Sequence, residues 1–183
     1  MGFFITFIIF IIIIIFIFSS KTLSPIPYFP SQPVDLPKII KALNLKNNQT
    51  VIDLGAGDGI VIFEAAKSSY HKKLNTKFIA VEINPVLIFI LHLRRLFHPN
   101  KKNIKIVMDD IFKMNFDKFL TFNFSLLTFY LYISPWSIEK VLSNIKDQGF
   151  KIYSVVSYMY PVKSLKNKER IIQGKNSIFV YDF

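Results

Sequence analysis

From Gly2 to Phe18 the chain contains one polar residue, Thr6, in a run otherwise made of Ile, Phe and Gly. About 20 apolar residues are needed to cross a bilayer as a helix, and with Ser19 and Ser20 this run reaches the short end of that range. It predicts a transmembrane anchor over residues 1–20. A cleaved signal peptide is the competing reading. It fits less well, because no Lys or Arg precedes the run, the run is long for a signal core, and no Ala-x-Ala-like site follows. Residues 21–33 break the pattern. Pro25, Pro27, Pro30 and Pro33 prevent regular helix, so this stretch is expected to be a Pro-rich linker.

The remaining residues, 34–183, alternate between two hydrophobic periods. Short apolar runs at Thr50–Leu54, Lys77–Glu82, Asn103–Val107, Phe122–Leu131 and Phe150–Ser157 predict buried strands. Between them, Ile60–Ser69, Pro85–Phe97 and Trp136–Ile145 have helical spacing, with Pro85 suited to a first turn. A further short amphipathic helix is expected over Val34–Leu45. Strands alternating with helices imply a parallel sheet covered on both faces. The tail departs from this order. Arg170–Gln173 and Ser177–Tyr181 flank Gly174-Lys175-Asn176, a hairpin turn signal. The expected fold is therefore α/β: a Rossmann-like, mostly parallel sheet flanked by helices, closed by a C-terminal antiparallel hairpin, with one N-terminal transmembrane helix.

Composition sharpens the setting. The net charge is +11, and every Lys and Arg lies beyond residue 20. Such a domain favours nucleic acid or an anionic membrane surface. The anchor, and the lack of a compact Arg-rich patch with interleaved aromatics, favour the anionic lipid surface and argue against nucleic acid. Basic residues follow the apolar run and none precedes it, which predicts a single-pass protein with its domain on the cytoplasmic side. The absence of Cys excludes disulfides and thiolate metal sites. His71, His92 and His98 lack ligand spacing, so no metal is expected.

The chemistry concentrates in Asp53-Leu-Gly55-Ala56-Gly57-Asp-Gly59, where the first strand turns into a helix. Glycines there accept positive φ and let a ligand approach the backbone. Ligands of such sheets bind at the carboxyl ends of the strands. The spacing is not that of a dinucleotide loop, since Ile60 stands where the third Gly would be, and no Gly-Lys-Ser/Thr follows. Asp53 would repel a phosphate and suits a cationic ligand, such as the amino group or sulfonium of S-adenosylmethionine.

The stretch resembles the first motif of the Rossmann-like, seven-stranded methyltransferases. That resemblance implies S-adenosylmethionine as cofactor, held at its amino-acid end by Asp53, Gly55, Ala56, Gly57 and Gly59. It further implies that Glu82, followed by Ile83, takes the ribose hydroxyls, and that Asp109, Asp110 and Ile111 lie near the adenine, with Asp110 fitting the motif best. Carboxylates suit these places because they accept hydrogen bonds from hydroxyl and amino donors. Individually, a glycine loop is often a plain strand–helix turn, and Asp109-Asp110 could be a helix cap. Their order at three successive strand ends is what points to a cofactor.

A narrower resemblance rests on Tyr28-Phe-Pro30-Ser31, Val51–Lys67, Glu82-Ile-Asn-Pro85 and Val180-Tyr-Asp182. These are similar to the membrane-anchored lysine methyltransferases of mitochondria, which implies a lysine of a membrane-associated protein as acceptor. The chain departs from that pattern in having no acid at the end of the fourth strand, and Tyr160-Pro161 matches only loosely. Tyr130 and Tyr132 are candidates for the substrate pocket, with core packing an equal alternative, and no catalytic base is assigned. A lipid, quinone or other apolar small molecule is a second acceptor class, and an inactive cofactor-binding scaffold is a third reading. The fourth strand lacks an Asn-Pro-Pro-Tyr-like motif, which argues against base-amino methylation.

Overall fold

The computed structural model describes residues 2–118 and 126–183. Helix α1 (Gly2–Ser19) is apolar except for Thr6 and the terminal Ser19, and has no buried residue. Among the described residues it is the one helix long and apolar enough to cross a membrane. The chain then enters a seven-stranded sheet flanked by helices α2 (Leu36–Ala42), α3 (Ile60–His71), α4 (Pro85–Leu96) and α5 (Pro135–Asp147).

The strands are β1 (Gln49–Leu54), β2 (Lys77–Glu82), β3 (Ile104–Met108), β4 (Leu126–Leu131), β5 (Ile152–Tyr158), β6 (Glu169–Gln173) and β7 (Ser177–Asp182). Their order across the sheet is β3-β2-β1-β4-β5-β7-β6. The first five pair in parallel, while β7 is antiparallel to both β5 and β6. The expected hairpin is thus present, with its second arm inside the sheet and its first arm at the edge. The polarity of the arms explains the order: β7 is buried over Ile178–Tyr181, whereas β6 is largely exposed.

Strand alternation divides the core into two layers. On one face Ile52, Leu54, Ile79, Val81, Phe129 and Leu131 meet Ile138, Val141, Leu142 and Ile145 of α5. On the other, Val51, Phe78, Ala80 and Val156 meet α2, α3 and Leu91 of α4. The chain runs from β1 outward to β3, then returns to β4 on the other side of β1. The resulting switch point, at the carboxyl ends of β1 and β4, is where an open sheet of this type offers a crevice.

Two boundaries differ from the pattern-based expectation. The helix expected over Val34–Leu45 is a 3-10 turn at Pro33–Asp35 followed by α2, which Asn44 terminates in a left-handed conformation (φ 46°). Asp35 is diverted to a long-range role: its carboxylate accepts the N–H groups of Lys175 (2.7 Å) and Asn176 (2.9 Å) and the hydroxyl of Tyr158 (2.7 Å). This pins the β6–β7 turn to the start of the domain. The strand expected over Phe122–Leu131 is described from Leu126; residues 122–125 lie outside the described residues.

Candidate active site

The glycine loop leaves β1 directly after Leu54. Gly55, Gly57 and Gly59 all have positive φ (83°, 58° and 78°), which only glycine adopts without strain. The N–H groups of Gly55 and Ala56 both donate to Val81 O, at 3.0 and 2.8 Å, fastening the loop to the end of β2. Gly59 caps α3 and is in tight contact with Leu91 and Phe63, so a Cβ there would fall 2.5 Å from Leu91. Its place in the motif belongs to helix–helix packing, and it does not line the cleft.

Glu82 ends β2 with only 8% of its surface exposed. One carboxylate oxygen accepts Gly57 N–H (2.8 Å); the other accepts Ile83 N–H (2.8 Å) and Asn84 N–H (2.9 Å). The next residues start α4: Asn84 caps it by accepting Val86 N–H at 2.9 Å, and Pro85 occupies its first turn. After β3, Asp109 N–H donates to Glu82 O at 3.1 Å. The Asp109 carboxylate accepts Asp110 N–H (2.8 Å), and that of Asp110 accepts Phe112 N–H (2.9 Å). Three strand ends are in this way bonded to one another around a single opening.

One cavity brings together Gly55, Gly57, Glu82, Ile83, Asp109, Asp110 and Ile111, with Leu87 and Ile133 as apolar lining. A smaller adjoining hollow holds Asp53, Ala56, Tyr130 and Tyr132. Apart from Gly59, the residues singled out from the sequence therefore converge on one cleft. Asp53 is 3% exposed. Burial, reinforced by the neighbouring negative charges of Glu82 and Asp58, pushes its carboxyl well above the usual range. Tyr130 is equally buried; burial raises its phenol strongly, and its hydroxyl is hydrogen-bonded to that of Ser31 at 2.9 Å. Burial also raises Tyr132, whose hydroxyl donates to the Met159 sulfur at 3.2 Å.

Pattern reading missed the near wall. Ser24 to Phe29 line the larger cavity, and Tyr28 to Ser31 line the smaller, so the Pro-rich segment lies across both. The Tyr28 ring rests on Gly57, where a Cβ would come within 2.7 Å of it. Burial and the adjacent Asp58 raise the Tyr28 phenol to about 12. Asp58 in turn pairs with Arg94 of α4 at 2.8 Å. Tyr28-Phe-Pro-Ser31 was the available signal, and it carried no indication of what it would cover.

The chemistry of this donor set fits S-adenosylmethionine. Carboxylates of Glu82, Asp109 and Asp110 line the larger cavity beside the glycine loop, the buried acid Asp53 lines the adjoining hollow, and Lys or Arg for a phosphate is absent from the described lining residues. Comparisons with known proteins agree. The family model described as ribosomal RNA adenine dimethylase matches residues 29–163. A probable ribosomal RNA small subunit methyltransferase A of Methanosphaera stadtmanae is 31% identical over 81 residues, covering 44% of this chain and 27% of the relative. An ATP synthase lysine N-methyltransferase of Xenopus laevis is 23% identical over 158 residues, covering 86% of this chain and 63% of the relative. The chain thus spans less than two thirds of either relative. An RNA methyltransferase from Salinibacter ruber, solved with S-adenosyl-L-homocysteine, shares the fold with a TM-score of 0.67 at 16% identity, covering 84% of this chain and 93% of that one. With nearly three quarters of its length matched by the family model, the chain belongs to the ribosomal RNA adenine dimethylase family of S-adenosylmethionine-dependent methyltransferases.

Proposed function

We propose that this chain is a membrane-held methyltransferase that N-methylates a lysine of a membrane-associated protein. The observation that carries this reading is the short path from the apolar helix to the cleft. Helix α1 ends at Ser19, and Ser24 already lines the cavity. Fully extended, that stretch could span about 17 Å at most. It is shorter than that, because Ser24 N–H donates to Ser20 O at 2.8 Å and closes a turn. With α1 in a bilayer, the acceptor must come to the cleft at the membrane surface. Basic residues placed after α1 agree with a domain on the cytoplasmic side.

In this reading Glu82 faces the ribose hydroxyls, Asp110 with Asp109, Ile83 and Ile111 the adenine, and Asp53 with the loop the amino-acid end. The bound cofactor supplies a methyl group already activated on a sulfonium. The protein's share is to orient the acceptor and exclude water. A lysine must arrive without its proton, and a buried aromatic hollow assists by disfavouring the ammonium. Tyr130 and Tyr132 supply such walls.

Family membership and the rRNA-methylating relatives favour a second reading, methylation of an adenine amino group in RNA. An exocyclic amine delocalised into its ring needs strong acceptors to draw out its hydrogens. Beyond β4 the sequence Tyr132-Ile-Ser-Pro-Trp136 offers no Asn or Asp for this task, which supports lysine instead. The test is to incubate the full chain and methyl-labelled cofactor with its own membranes and ribosomes. Label recovered as methyl-lysine is the expected result. Label in RNA or in the lipid extract would replace the acceptor assigned here.

A further inference from the structure

Helix α4 is built to face something apolar. Its inner side chains, Leu87 and Leu91, are buried against the sheet. On its outer side Phe89, Leu93, Leu96 and the adjoining Phe97 follow at i, i+4, i+7 and i+8, a single helical stripe. All four are exposed, Phe97 by 83%. The outward side of a helix on a soluble domain is ordinarily polar, and a contiguous exposed apolar stripe marks a contact surface.

Two observations identify what it contacts. Helix α1, the candidate membrane span, touches α4 and no other helix of the domain as closely, so the anchor meets the domain at the helix that carries the stripe. Beside the far end of α4, Arg95 and Lys102 line one hollow with His92. Aromatic and aliphatic side chains flanked by Arg and Lys are the chemistry of a helix lying in a bilayer interface, with its cations among anionic headgroups.

We propose that the outer face of α4, with the basic hollow beside it, is a second contact with an anionic phospholipid surface, fixing the tilt of the domain after α1 has tethered it. The proposal rests on the membrane-held reading above and adds the surface that does the holding. A tether alone would leave the domain free to swing. A second contact at the β3 edge holds the domain in one orientation while leaving the β6 edge in water.

The chain has no native Cys, so single labels report cleanly. Full-length Phe97→Cys, Leu93→Cys and Ile171→Cys proteins would carry an environment-sensitive dye in phosphatidylcholine nanodiscs with and without phosphatidylserine. Ile171 is 52% exposed on β6, at the opposite sheet edge, and serves as the aqueous reference. A lipid-borne quencher should act several-fold more strongly at 93 and 97 than at 171. Adding phosphatidylserine should widen the difference, and Arg95→Glu with Lys102→Glu should narrow it. Equal quenching at all three positions would overturn the proposal. So would protection of 97 by ribosomal RNA and not by lipid, which would make this a nucleic-acid face. Washing membranes with alkaline carbonate tests the anchor separately: if the chain is released while 97 still reads lipid at neutral pH, the anchor fails and the α4 contact stands.

Discussion

The Glu82 carboxylate accepts the N–H of Gly57 at 2.8 Å, joining the end of β2 to the loop that follows β1. The same side chain takes two further N–H groups from Ile83 and Asn84. Glu82 therefore shapes the cleft as well as lining it. Glu82→Ala strands three donors, two of them buried, each buried one at a cost of about 1–3 kcal/mol if unsatisfied, and should lower thermal stability and cofactor affinity together. Glu82→Gln keeps an acceptor oxygen and most of the fold, yet should still weaken cofactor binding by about tenfold, the loss of one charge-assisted bond. Calorimetry paired with thermal melting reads both. Unchanged affinity in the Gln variant would remove Glu82 from the ribose site.

Asp53 is a buried acid whose carboxyl lies well above its usual range, with burial as the main cause. A raised folded value means that the ionised form is disfavoured by folding. Its contribution turns destabilising as pH rises through the unfolded value, and the cost grows until the folded value is reached. A bound cation reverses this by favouring the carboxylate. Asp53→Asn should thus raise the melting temperature of the free protein while weakening cofactor binding. Wild-type affinity should increase with pH from the acid side, and the Asn variant should flatten that rise. Calorimetry across a pH series decides it.

Tyr28 and Gly57 form the near wall of the site. Gly57→Ala places a methyl group 2.7 Å from the Tyr28 ring and strains a backbone at φ 58°. Cofactor affinity should fall sharply. Tyr28→Ala should relieve the clash but not the strained φ, so the double variant should recover only part of the loss. Full recovery would mean that the strained φ contributes nothing, and no recovery that the Tyr28 wall contributes nothing.

The sheet was readable because buried parallel strands are apolar runs and because the loop after β1 needs glycine at fixed places. Asp53 was legible beside that loop, whereas Glu82 and Asp110 came from the resemblance to the seven-stranded methyltransferases, which implies an acid at the ends of the second and third strands. The near wall was not readable. A Pro-rich segment has no period, and nothing in Tyr28 indicates that its ring will cover a glycine 29 residues further along the chain. Asp35 was hidden for a related reason: its partners, Tyr158, Lys175 and Asn176, are distant in sequence. The position of β7 inside β6 was equally silent in the turn motif, which sets a hairpin but not which arm meets β5.

Asp35 also predicts an acid response. Burial pushes its carboxyl up, but the Asn176 N–H, the Tyr158 hydroxyl and the Lys175 N–H outweigh this and leave it below its usual value. A depressed folded value gives stability that is present above the unfolded value and is lost as pH falls through the folded one. Asp35→Asn should cost about 1.5–3 kcal/mol near neutral pH, the range for hydrogen bonds to a charged group. Denaturant titrations of both proteins should differ most at neutral pH and converge at strongly acid pH. A constant difference across the series would contradict the assignment.

The most direct measurement of the central claim is calorimetric titration of the full-length protein in nanodiscs with S-adenosylmethionine. A saturable one-to-one isotherm, abolished by Glu82→Ala and weakened by Asp53→Asn, is the predicted result. A folded wild-type protein that takes up no cofactor would contradict it.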